Sequence, residues 1–195
     1  MATQTRTDLS AMLAERRRRL DAALSSLDAA QDDAIAVIAA IEAAIRRGGL
    51  VATCGNGGSA AEALHLAEEL VGRYRSDRAP LRSTCLCADP TALTCIANDF
   101  GFEEVFARQV TGLLGPNDAL VVFSTSGNSP NLLKALEAAG RCGATRIGFL
   151  GGSGGDARDL CEASVVVAGE DSAAIQEVHQ VLLHACCEPF ETDPI

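Results

Sequence analysis

Three histidines occur in the 195 residues, at 65, 179 and 184. The first stands in GNGGSAAEALHLAEE, residues 55–69. On a helix, His65 and Glu69 lie about 40° apart in azimuth and roughly 6 Å apart along the axis. An imidazole and a carboxylate then share one face, an arrangement suited to moving protons or holding a cation. The loop before them, with Asn56, Gly57, Gly58 and Ser59, can bring backbone amides close to an anion. It is not a P-loop, because no Gly-Lys-Ser/Thr follows, and the third glycine of G-x-G-x-x-G is missing. Alone, the stretch fits a tight turn before a surface helix equally well.

A second loop adds weight. STSGNS, residues 124–129, follows the apolar run ALVVF and offers the hydroxyls of Ser124, Thr125, Ser126 and Ser129. Ser129 precedes Pro130, which suits a helix cap. Two such loops at strand ends describe a site for a phosphorylated ligand, held by backbone dipoles and hydroxyls without a lysine. A third loop, GGSGGD at 151–156, reads as a connection in which Asp156 caps a short helix. In the last helix Gln176 and His184 are two turns and about 80° apart, whereas His179 points about 140° away from His184. The two late histidines therefore do not share one small site, and the spacing leaves open which of them faces it.

The elements that would hold these residues follow from periodicity. Leucines at 9, 13, 20, 24 and 27, then isoleucines at 35, 38, 41 and 45, mark two helices. Gly48 and Gly49 stop the second. Both carry apolar residues on more than one side, which points to burial on more than one side and hence to a subunit interface. Five short apolar runs come next, LVATC, RSTCLCA, ALVVF, TRIGFL and ASVVVA, each leading into a helix. The final helix covers about 172–189, and Asp89-Pro90 reads as a helix start. Strands alternating with helices predict a three-layer α/β/α sandwich around a five-stranded parallel sheet, preceded by two N-terminal helices. The whole chain, 1–195, reads as one domain, with 1–48 as a helical extension and 49–195 as the α/β core.

Composition narrows the function. A net charge of −10 argues against nucleic acid as a partner. The one basic run, Arg16 to Arg19, spreads around its helix and suits a solvated or partner-facing surface. Eight cysteines without a C-x-x-C pair read as buried free thiols in a reducing compartment. With no apolar signal core and no run of the roughly 20 apolar residues a membrane span needs, a soluble, cytoplasmic protein is expected.

The segments CGNGGSAAEALHLAEELVGRY, IANDFGFEEVF, STSGNS and IQEVHQVLLH, in this order, closely resemble the bacterial phosphoheptose isomerases of the sugar isomerase (SIS) domain superfamily. STSGNS marks only the superfamily. The HxxxE of HLAEE with the distant QxxxxxxxH is more specific. The resemblance implies the SIS fold and interconversion of sedoheptulose 7-phosphate with D-glycero-D-manno-heptose 7-phosphate through an enediol. It implies Glu69 and His184 as the catalytic pair, and His65, Glu69, Gln176 and His184 as ligands of one zinc ion per subunit. Asn56, Gly57, Gly58, Ser59, Glu69, Asn98, Asp99, Ser124, Thr125, Ser126, Ser129 and Gln176 would line the substrate site. Arg73 would reach a neighbouring subunit's sugar in a homotetramer.

Two departures bear on substrate. Ala60-Ala61-Glu62 replaces a more polar triplet, and Ala173-Ala174-Ile175 replaces an Asp-Arg-Ile-like segment. The alternatives are an isomerase of another ketose phosphate, or a non-catalytic SIS protein of the kind that binds the replication initiator DnaA. That relative lacks counterparts of Glu69 and His184.

Overall fold

The computed structural model describes residues 2–193, with side chains from Asp8 onward. Two helices come first: α1 (Ala2–Ser25) and, after one 3-10 turn, α2 (Gln31–Arg46). Strand and helix then alternate through β1 (Val51–Gly55), α3 (Gly58–Val71), β2 (Ser83–Cys85) and α4 (Pro90–Phe100). The chain continues with α5 (Ala107–Leu113), β3 (Ala119–Ser124), α6 (Pro130–Cys142), β4 (Thr145–Gly151) and α7 (Gly155–Leu160). It closes with β5 (Ala163–Val167), α8 (Ser172–Ala185) and α9 (Glu188–Thr192).

All five strands are parallel, in the order β2-β1-β3-β4-β5. Because both faces are covered, the strands are apolar throughout rather than alternating. Val51, Val121, Phe123 and Phe149 meet α2, α3 and α8 on one face. Ala52, Cys54, Leu120 and Val122 meet α5 and α6 on the other. The central strands β1 and β3 pair with Gly55 opposite Phe123, and the chain leaves them towards opposite edges. Their carboxyl ends thus form the switch point at which open parallel sheets bind ligands.

The expected architecture is present, and local details differ for identifiable reasons. α4 starts as expected: Asp89 accepts hydrogen bonds from the amides of Thr91 and Ala92, with Pro90 in the first turn. Ser129 occupies the cap position of α6 but makes no side-chain cap bond. Asp156 does not cap α7. Gly154 holds that place at φ 90°, and the Asp156 amide donates to Asn128 Oδ1 at 3.0 Å. The last helix ends at Ala185, and Pro189 sits in the first turn of the separate α9. β2, an edge strand pairing only with β1, covers three residues and then turns towards Asp89.

The basic run is a fastener. Arg16 pairs with Asp171 and Glu177, and Arg19 pairs with Glu15 and Asp171, tying α1 to the start of α8. Leu9, Met12 and Leu13 remain exposed on α1. Cys54, Cys85, Cys186 and Cys187 are buried free thiols, but Cys95 faces solvent on α4.

Candidate active site

β1 delivers the glycine loop to the switch point. Asn56 is fixed there by a reciprocal amide pair with the buried Asn131 of α6, at 2.9 and 2.8 Å. Gly58 opens α3, and a Cβ on it would lie 2.5 Å from the Gln176 amide nitrogen. The α8 side chain closes over the start of α3 because residue 58 has no side chain. Asn56, Ser59, Ser124, Thr125, Ser126, Ser129 and Gln176, with Phe123 and Leu132, enclose a cavity of about 80 Å³. No lysine or arginine lines it. Hydroxyls and the amino ends of α3 and α6 supply the donors an anion needs.

The GGSGGD loop braces this cradle. Gly127 has φ 66°, and a Cβ on it would meet the Gly154 carbonyl oxygen at 1.8 Å. The Ala157 amide donates to the Gly127 carbonyl at 3.0 Å. On the inner side the Gly127 amide donates to Ser124 Oγ at 2.9 Å. STSGNS is therefore clamped from both sides, and the third loop is more than a connection.

Further along α3 stand the ionisable groups. His65 Nε2 lies 3.2 Å from Glu69 Oε1, and His184 Nε2 lies 3.9 Å from the same oxygen. The imidazoles meet edge to face at 5.0 Å, and Tyr74 stacks on His184 at 5.4 Å. The Glu69 side chain is 13% exposed, against 31% and 38% for the two histidines. A mostly desolvated carboxylate thus sits between two imidazoles that open outwards, which suits proton transfer at a ligand arriving from solvent. Ligand atoms of His65, Glu69 and His184 all lie within 4.8 Å of one another. This nitrogen-and-oxygen donor set fits a divalent cation of the zinc type.

The question of the late histidines is thereby resolved. His184 joins the cluster, while His179 is buried, 3.5 Å from Glu62. Gln176 lines the hydroxyl cavity, and the amide bonded to His65 is that of Gln180, with Nδ1 and Oε1 2.6 Å apart. Gln176, Gln180 and His184 recur every four residues along one stripe of α8. Asn98 and Asp99 are exposed on α4 and bonded to each other at 2.8 Å. Arg73 is exposed beyond α3, donating to the Arg75 carbonyl.

Four residues of this layer escaped sequence reasoning: Gln180, Tyr74, Asn131 and the buried Glu62. Only Gln180 carried a signal, its i, i+4 spacing to both Gln176 and His184. Beyond the glycine loop lies a larger, mainly apolar cavity of about 340 Å³, lined by Ala60, Cys87, Leu93, Phe102 and Phe106. Cys87 Sγ donates to the Gly55 carbonyl at 3.3 Å. Its thiol also brings Cys85 down to about 6, while burial pushes Cys54 up.

A doubly wound sheet with this cradle at its switch point and a His–Glu–His cluster beside it defines an α/β domain that sets a phosphorylated ligand against acid–base groups. A family model described as SIS domain matches residues 17–151. A phosphoheptose isomerase of Nitratiruptor sp. is 51% identical over 134 residues, covering 69% of this chain and 72% of the relative. The solved phosphoheptose isomerase of Neisseria gonorrhoeae superposes with a TM-score of 0.85 at 33% identity, covering 96% of this chain and 99% of that one. That of Francisella tularensis gives a TM-score of 0.89 at 29% identity, covering 95% and 99%. The chain belongs to the SIS domain family and, within it, to the phosphoheptose isomerases.

Proposed function

We propose that the chain is an aldose–ketose isomerase interconverting sedoheptulose 7-phosphate and D-glycero-D-manno-heptose 7-phosphate. The observation that carries this reading is the Glu69 carboxylate lying 3.2 Å from His65 and 3.9 Å from His184, beside a lysine-free cradle. Moving between ketose and aldose requires one proton to pass between adjacent carbons. Glu69 takes it from C1 and returns it to C2, and His184 serves the oxygens as general acid. Groups in such roles supply roughly 10²–10⁴-fold each. Ser124, Thr125, Ser126 and Ser129 hold the phosphate, while Asn56, Gly57, Gly58, Ser59 and Gln176 line the sugar side. A DnaA-binding, non-catalytic role would leave Glu69 and His184 without a task.

His65, Glu69 and His184, joined by Gln176 from the next turns of α8, are the residues that would hold zinc. The ion would supply Lewis acidity towards the sugar carbonyl. No described helix is long and apolar enough to cross a membrane, in keeping with work on a phosphosugar in the cytoplasm. Asn98, Asp99 and Arg73 stand exposed in a single chain. In the reading proposed here they complete the sites of neighbouring subunits in a homotetramer, with the 1–48 extension packing between copies through exposed Leu9, Met12, Leu13 and Ile35.

Incubation with sedoheptulose 7-phosphate tests the proposal, with the aldose phosphate as the expected product. A folded, zinc-supplied protein that yields none would overturn it. Turnover unaffected by verified removal of metal would remove zinc from the reaction.

A further inference from the structure

We infer that Gln180 is a positioning residue that fixes the tautomer of His65 and so prepares its Nε2 as a metal ligand. The inference rests on the metal reading proposed above. A neutral imidazole has one N–H and one lone pair. To bind a cation beside Glu69 and His184, His65 must offer the lone pair of Nε2, the nitrogen that faces Glu69 Oε1. Its hydrogen then belongs on Nδ1. Gln180 Oε1 stands 2.6 Å from that nitrogen and accepts from it.

The surroundings show why the acceptor matters. His65 and Gln180 are both half-buried in the seam between α3 and α8. An Nδ1–H without a partner there would be costly, since a buried donor left unpaired forfeits its desolvation energy. Moving the hydrogen to Nε2 would avoid that cost by donating to Glu69, and would close the very position a metal needs. Gln180 removes the conflict. It also stands one helical turn before His184 on α8, so one rail supplies both the orienting group and a ligand. The opposite rail, α3, supplies His65 and Glu69. Outer-shell partners of this kind typically change metal affinity by about 10–100-fold.

The test uses the full chain as wild type, Gln180→Leu, which keeps the bulk but loses the acceptor, and Gln180→Glu, which keeps an acceptor. Zinc affinity is measured by competition with a chromophoric chelator, and the His65 Nδ1–H resonance is followed by NMR in the zinc-loaded protein. Gln180→Leu should bind zinc about 10–100-fold more weakly and lose the slowly exchanging Nδ1–H signal. Gln180→Glu should retain both. Wild-type affinity and signal in Gln180→Leu would overturn the inference. So would a Gln180→Glu variant as weak as Gln180→Leu, since shape rather than the acceptor would then matter. A wild-type chain that binds no zinc would overturn the metal reading itself, and tautomer selection with it.

Discussion

His179 Nδ1 lies 3.5 Å from Glu62 Oε2, and both side chains are sealed within the protein. The other ring nitrogen of His179 faces the Leu150 carbonyl at 3.3 Å, which can only accept. Nε2 therefore carries the hydrogen that meets this carbonyl, while Nδ1 and both Glu62 oxygens have no hydrogen-bond partner and only each other nearby. The pair joins α3, α8 and β4 in the layer that carries the site, with Phe123 and Phe149 edge-on to the imidazole. Removing one member leaves the other buried and alone. His179→Leu should lower the free energy of unfolding by about 1–3 kcal/mol, measured in urea. Replacing both residues by leucine should restore most of that loss. Additive losses in the double variant would show that the two side chains act separately.

Glu69→Gln keeps the shape of the cluster and removes the carboxylate proposed as the base. With general base catalysis worth about 10²–10⁴-fold, kcat for the heptose phosphate should fall by at least that factor while the circular dichroism spectrum and oligomer size hold. A variant retaining near-normal kcat would move the proton-transfer role to another group.

The fold was readable because its signals are periodic: two helical stripes, then apolar runs each followed by a helix. The cradle was readable because Gly57, Gly58 and the serines of STSGNS have few other reasons to cluster at strand ends. What stayed hidden was contact across the chain. Nothing local to Asn131 says that it pairs with Asn56, 75 residues earlier. Glu62 read only as one member of the Ala60-Ala61-Glu62 triplet, because a buried carboxylate is improbable until its imidazole is in view. The choice between His179 and His184 needed the rotation of α8 about its axis, which spacing alone leaves free. Asp156 was misplaced as a cap because Asn128, from another loop, supplies that oxygen.

Asp171 ties the amino end of α8 to α1. It accepts from the Ala173 amide at 3.0 Å and pairs with Arg19 at 3.1 Å. The Arg19 guanidinium, more than the local amides, holds its carboxyl below the usual range. A depressed folded-state value means stability that is fully present above the unfolded value, about 4, and lost as pH falls through the lower folded value. Asp171→Asn keeps a capping oxygen and removes the charge. Wild type should melt at a higher temperature than Asp171→Asn near neutral pH, and the two should converge in acid. A gap that persists at low pH would assign the effect to the cap rather than to the charge.

Tyr74 lies over His184 at 5.4 Å with 23° between the rings, and the edge of His184 meets His65 at 5.0 Å. An imidazole held on two sides is limited in rotation, which the general-acid role proposed for His184 needs if its proton is to reach one particular oxygen. Stacking of this kind is worth about 0.5–1.5 kcal/mol, equivalent to roughly a two- to twelve-fold change in rate if it is felt in the transition state. Tyr74→Leu should therefore lower kcat within that range and leave KM nearly unchanged, because the ring does not line the phosphate cavity. Tyr74→Phe retains the stack without the hydroxyl and should restore kcat. A Tyr74→Leu variant with normal kcat and a lowered melting temperature would make the ring a packing residue only. Failure of Tyr74→Phe to recover activity would shift the role from the stacked ring to its hydroxyl.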